Sequence, residues 1–208
     1  MRPARSVGTA VLACLAVLLL TSSLLLPWFG YTSSSGRRTP PAGLHDVEQT
    51  REERHTLTYS PYAWVGDTEP ADPAAADAAV QRIGHLVVAA TAFAALAALL
   101  ELPGLSRAPM PLRWGPLVLA MAAAGGALWL AWTGLPATLA PYGVDGPFTS
   151  IRNGDTYVRT TLLLGWVGAA MALPFLLGAI LMRLAAGVGV SDVPDVARAL
   201  AERRRGGA

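Results

Sequence analysis

The chain has 208 residues, of which 53% are hydrophobic and only 14% charged, with a formal net charge of +2. An average soluble domain carries roughly 25% charged residues, so the composition is that of a membrane protein and argues against a nucleic-acid binder, which needs a charge-rich face. All 16 basic residues are arginine, as expected of a high-GC bacterial genome, and the single cysteine, Cys14, excludes an internal disulfide, a CxxC redox pair and a cysteine metal cage.

Residues 1–6 carry Arg2 and Arg5 and precede the first apolar run, 7–26. At about 1.5 Å per residue a helix of that length covers about 30 Å, the thickness of a bilayer's hydrocarbon core. The run exceeds the roughly 7–15 residues of a secretory h-region, and no small-x-small site precedes Trp28, so it reads as an uncleaved anchor. Val11-Leu12-Ala13-Cys14 matches a lipoprotein box weakly, and Cys14 reads instead as a buried, inert thiol. Trp28, Phe29 and Tyr31 fit an aromatic belt at the far interface.

Residues 27–79 form the one long polar segment, a first extracytoplasmic loop. Its stretches Thr32 to Gly43 (TSSSGRRTPPAG) and Gly66 to Ala78 (GDTEPADPAAADA) read as loop. Between them, Asp46 to Arg54 reads as a short polar helix. His55 to Val65 reads as a strand held to an edge by Pro61. A segment this short buries too little to fold alone.

The second span, 80–101, carries the small-residue stripe Ala90, Ala94, Ala97 and Ala98, which lets a neighbouring helix approach closely. A short Pro-rich connection, 102–113, makes spans two and three antiparallel neighbours. The third span, 114–135, has Gly125-Gly126 at its middle, where paired glycines mark a tight crossing. The second outer loop, 136–158, holds a hairpin signal, Phe148 to Arg152 and Asp155 to Arg159 around an Asn153-Gly154 turn, with Arg152 facing Asp155. The fourth span, 159–182, carries Gly165, Gly168, Ala169 and Ala172 as a packing face and Pro174 as a kink. The tail, 183–208, has an amphipathic stretch, Val193 to Leu200, and the basic tip Arg203 to Arg205.

With both termini inside, nine arginines lie on the cytoplasmic side and seven outside, four of those in the long loop where charge counts least. A multi-pass plasma-membrane protein with both ends cytoplasmic follows. Reporter fusions after Ala74 and after Gly146 are expected to be active only outside.

An ion or proton pathway needs ionisable groups inside the spans, and here Arg82, Glu101, Arg159 and Arg183 all fall at span ends. His85 is the exception, a turn below the outer surface. It reads as an interfacial side chain bonded to a loop carbonyl rather than a haem or metal ligand. His45, Asp46, Glu48, Glu52, Glu53 and His55 form a carboxylate and imidazole cluster, yet on a helix Glu48/Glu52 and Arg51/His55 are spaced as a solvated charged face. The segment lacks an HExxH spacing, and the chain lacks a GxSxG elbow or a Gly-rich phosphate loop. No catalytic residue, cofactor or metal site is therefore expected.

Four spans, a long first outer loop with strand character, a short second one and internal termini together resemble the layout of claudin-type tetraspan proteins. The claudin loop signature pairs a Trp-containing stretch with two cysteines, whereas this loop has Trp28 and Trp64 and no cysteine. The resemblance is one of topology and implies a left-handed four-transmembrane-helix bundle, an all-α membrane protein, carrying a small extracytoplasmic β-containing cap from the two outer loops. The functional expectation is a non-enzymatic interaction or accessory subunit. Besides the lipid bilayer, its partner is a membrane protein or a second copy of itself, bound through outer-loop aromatics (Tyr59, Tyr62, Trp64, Tyr142 and Phe148). The alternative is a subunit of an oligomeric transporter or channel for a neutral solute, with Thr21, Ser22, Ser23, Thr91 and Thr133 lining the route.

Overall fold

A computed structural model describes residues 2–38, 50–102, 110–153 and 156–188. Four long helices and a five-stranded antiparallel sheet make up the molecule. In chain order they are α1 (Arg2–Leu25), β1 (Phe29–Arg38), β2 (Thr50–Ser60), β3 (Ala63–Gly66), α2 (Pro73–Leu99), α3 (Met110–Ala137), β4 (Ser150–Asn153), β5 (Thr156–Leu162) and α4 (Leu164–Val188). Each helix contains a stretch long and apolar enough to cross a membrane: Val7–Leu25, Pro73–Leu99, Trp114–Ala137 and Leu164–Ala185. The helices close into a ring in which α1 packs on α2 and α4, and α3 packs on the same two.

The ring is built on small residues. Ala13, Ala16 and Leu20 of α1, Ala90, Ala94 and Ala97 of α2, Ala120, Ala124, Ala127 and Ala131 of α3, and Ala169, Ala172 and Ala179 of α4 are buried. Leu20, Ile83, Leu117 and Leu176 are buried among them, while many other large apolar side chains point the other way. Val7, Val11, Leu15 and Leu18 make a stripe at spacings of four, four and three along the outer face of α1, and Trp129, Met171 and Leu181 are likewise exposed. The stripe Ala90, Ala94, Ala97 thus packs as its spacing predicts, as do Gly165, Ala169 and Ala172. The Gly125-Gly126 pair does not: a Cβ on Gly125 would meet open space, and one on Gly126 would only touch Leu86 at 3.5 Å. The crossing is made by the alanines instead. Cys14 is exposed on α1, not buried.

The sheet has the order β3-β2-β1-β5-β4 and draws its strands from both polar segments. Its central strand, β1, is the stretch whose serines read as loop. Bonded along both edges, Phe29–Arg38 to β2 and Phe29–Ser35 to β5, the backbone gains a full ladder that outweighs the weak strand preference of Ser and Gly. Thr50–Arg54 is strand rather than helix for the same reason, while Asp46–Gln49 lies outside the described residues. Pro61 does sit at a strand end, in a two-residue turn between Ser60 and its partner Ala63, with Tyr62 in the left-handed region at φ 69°. In the second hairpin Asn153 pairs with Thr156 and Arg152 with Tyr157, while Gly154 and Asp155 of the expected turn lie outside the described residues.

Two helix starts also differ from the hydropathy reading. α2 begins at Pro73, seven residues before the apolar run, because Asp72 caps it by accepting from the Ala75 amide at 2.9 Å and Pro73 takes the first position. α4 begins only at Leu164, since Thr160–Leu162 are spent pairing with β1. The residues Val193 to Leu200 lie outside the described residues.

Candidate functional site

The sheet has two faces of opposite chemistry, and the strand register assigns each side chain to one of them. Toward the helices it turns Phe29 and Tyr31 of β1, Leu57 and Tyr59 of β2, and Val158 and Thr160 of β5, all buried. This face is fixed to the bundle by polar bonds as well as by packing. Trp28, fully enclosed, donates from Nε1 to the Ser23 carbonyl at 2.7 Å and from its amide to the Tyr59 carbonyl at 2.8 Å. Its own carbonyl accepts from the Leu163 amide at 2.9 Å. One residue thereby ties the end of α1 to β2 and to the start of α4. The junction closes on Gly165, where a Cβ would fall 2.3 Å from the Trp28 ring and 2.5 Å from the Leu26 carbonyl oxygen.

The five outer-loop aromatics do not converge on a single patch. Tyr59 is fully buried, which removes it from any binding surface. The Thr138 hydroxyl spends its proton on the Leu135 carbonyl at 2.7 Å, so Tyr59 is the donor in the 3.0 Å contact between the two hydroxyls. That bond pins β2 to the end of α3, and burial pushes the Tyr59 phenol up to about 12. Tyr62 lays its ring on α2, in the space left by Gly84, where a Cβ would sit 2.6 Å from the ring. Its neighbour there is His85, edge-on at 5.5 Å between ring centroids; this aromatic contact is the one found for His85, in place of the expected loop carbonyl. Trp64, half-buried, donates to Asp77 Oδ1 at 2.8 Å. Tyr142 packs on Tyr31 and donates to the Glu69 carbonyl at 3.3 Å. Phe148 is 65% exposed and lies edge-on to Trp132, on a different side of the molecule from Tyr62. Four of the five thus serve chiefly to seat the sheet, and Phe148 stands apart.

The outward face carries what sequence reading passed over. The register places Arg54, Ser34 and Tyr157 in one row across β2, β1 and β5. Thr56, Thr32, Arg159 and Ser150 make the next row, and Thr58, Gly30 and Thr161 a third. Thr32, Ser34, Arg54, Tyr157, Arg159 and Thr161 line an open cleft of about 410 Å³. The sequence reading puts Arg54 on a helix and Arg159 at a span end, which keeps the two apart. The signal that finds them is the alternation in β5, where Val158 and Thr160 are buried while Tyr157, Arg159 and Thr161 point out. At the rim, the Asp67 carboxylate accepts from the Thr56 amide, which holds its pKa below the ordinary 3.8.

A second cavity, about 650 Å³, lies between the first turns of α2 and the end of α3. Its walls are Ala75, Ala78, Ala79, Leu130 and Ala137, with Asp72 and Arg82 at the edge. Hydroxyls within the helices are spent locally: Ser22, Ser23, Thr91 and Thr133 each donate to a carbonyl of their own helix. At the end of the bundle away from the sheet, Glu101 and Arg183 form a buried ion pair, and Arg183 also donates to the Ala97 carbonyl at 3.5 Å. Among the described residues no three His, Cys, Asp or Glu side chains are grouped to hold a metal ion. The strand pairs Arg51 with Arg37 and His55 with Ser33, so residues four apart share a strand face but sit about 13 Å apart along it instead of one helical turn; His45 lies outside the described residues. No protein-family model matches this chain, and no curated protein matches it.

Proposed function

We propose that this chain is a non-enzymatic, multi-pass plasma-membrane protein with both termini cytoplasmic, whose helices anchor a rigid extracytoplasmic sheet that serves as an interaction surface. The observation that supports this most is the opposed arrangement of the two parts. The bundle is small and close-packed inside and covered with Leu, Val, Met and Trp outside, which suits lipid. The sheet is apolar where it meets the bundle and mostly polar on its outward face, where Val65 is the exposed apolar exception on β3. Recognition therefore belongs to the sheet. Spending the helical hydroxyls within their own helices also weighs against a polar route through one copy.

The test is site-specific photo-crosslinking in cells. A crosslinker at Thr58, on the outward sheet face, is expected to capture one membrane-protein partner at a defined mass. One at Val118, on the exposed face of α3, is expected to capture none. Crosslinks confined to Val118, or a purified homo-oligomer that passes a neutral solute into liposomes, would replace this reading with the transporter one.

A further inference from the structure

We infer that the outward face of the sheet is a binding site for a phosphorylated sugar or a ligand of that chemistry, an oxyanion carried on a small polyol. This does not rest on the interaction reading above, since a chain with no protein partner would bind such a ligand equally well.

The cleft has the right walls. Arg54 on β2 and Arg159 on β5 flank the central strand from opposite sides, two strand spacings or about 10 Å apart across the sheet. Both are exposed and both line the same cleft. Between them the floor is made of hydroxyls, Thr32 and Ser34 from β1 and Thr161 from β5. Two guanidinium forks above a hydroxyl floor suit a tetrahedral oxyanion, because a guanidinium can give two parallel N–H bonds to it and the hydroxyls add donors from beneath. Hydroxyls accept as well as donate, so the rest of the floor is matched to a polyol rather than to an apolar tail. Tyr157, contacted by the Ser150 hydroxyl at 3.4 Å, closes one side with an aromatic ring.

Charge and size agree. The acid described at the rim, Asp67, is already engaged by Thr56. At about 410 Å³ the cleft falls within the roughly 300–1,000 Å³ of small-molecule sites, well above what a bare phosphate fills. The larger cavity between α2 and α3 is mostly apolar and sets the Asp72 carboxylate against its one arginine, Arg82, so it suits an anion less well.

The experiment uses the full chain in phosphatidylcholine nanodiscs, titrated calorimetrically with glucose 6-phosphate and with glucose, and mixed separately with vesicles containing phosphatidylinositol 4-phosphate. One glucose 6-phosphate per chain is expected, with no heat from glucose. Arg54→Gln and Arg159→Gln should each weaken binding about tenfold, the worth of one charged hydrogen bond. Arg82→Gln, on α2, should leave it unchanged. Binding to the vesicles alone, lost in the same two variants, supports the same site with a lipid headgroup as the source. No binding to either probe at millimolar concentration, or equal weakening by Arg82→Gln, would overturn the inference. Thermal midpoints of the variants, unchanged for exposed strand residues, separate loss of the site from loss of the fold.

Discussion

The bundle and the sheet obey opposite rules although they share a chain and an interface. In the bundle, alanines fill most of the interior beside a few large residues such as Ile83, Leu117 and Leu176, and many large apolar residues face outward; in the sheet, Phe29, Leu57 and Tyr59 are inside and threonine, serine and arginine outside. A water-soluble protein would follow the second rule throughout. The difference fits the proposed placement of the helices in lipid and of the sheet in water. It also means that stability comes from different sources: close backbone approach and a few polar bonds in the helices, apolar burial in the sheet.

The comparison can be broken most severely at the buried ion pair. Replacing Arg183 by Leu takes the guanidinium away from the buried Glu101 carboxylate and should cost about 3–5 kcal/mol in detergent, whereas replacing both with apolar residues should recover most of that loss. Thermal unfolding of the two single variants and the double would decide it; equal midpoints throughout would mean that water reaches the pair. Next comes the junction. Gly165→Ala drives a methyl into Trp28 and should cost about 1–3 kcal/mol, while Gly125→Ala, facing open space, should be neutral or slightly stabilising. If the two behave alike, the close approach at Trp28 is not real.

The smaller effects sharpen the sheet side. Tyr59→Phe removes one buried hydrogen bond and should cost about 1 kcal/mol at neutral pH. The native phenol holds its proton more tightly than the unfolded chain does. Its contribution is therefore complete below pH 10 and is lost as pH rises towards 12, and the Phe variant should lack that alkaline loss. Asp67 has the opposite sign. Its folded pKa lies below 3.8, so its contribution is present above that value and fades as pH falls beneath it; Asp67→Asn should flatten the acid limb of a stability profile. A melt series from about pH 2 to neutrality, the range in which carboxylates titrate, reads this directly.

The helices were legible because twenty apolar residues in a row have few other uses, and their packing faces because small residues recur at helical spacing. Their starts were less so: the Asp72-Pro73 cap lies in a segment whose alanines resemble loop filler, and Thr160–Leu162 are apolar enough to pass for helix. The sheet was half visible, in the alternation of Thr56–Tyr59 and in the second hairpin. β1 was hidden because Ser33, Ser34 and Ser35 carry no alternation, and only pairing on both edges makes them a strand. The candidate site was hidden for the same reason. Arg54 and Arg159 are 105 positions apart and become neighbours only across that strand.

α1 and α4 pack together, and the strands that continue them, β1 and β5, pair directly, Phe29 opposite Leu162. Three residues join α1 to β1, and a single one joins β5 to α4. The two helices therefore cannot slide past one another without dragging a ladder out of step, and a one-place slip would turn Val158 and Thr160 to water. The strands act as a vernier that sets the axial position of two rods, so under the proposed membrane placement a partner docked on the sheet also grips the depth at which those rods sit.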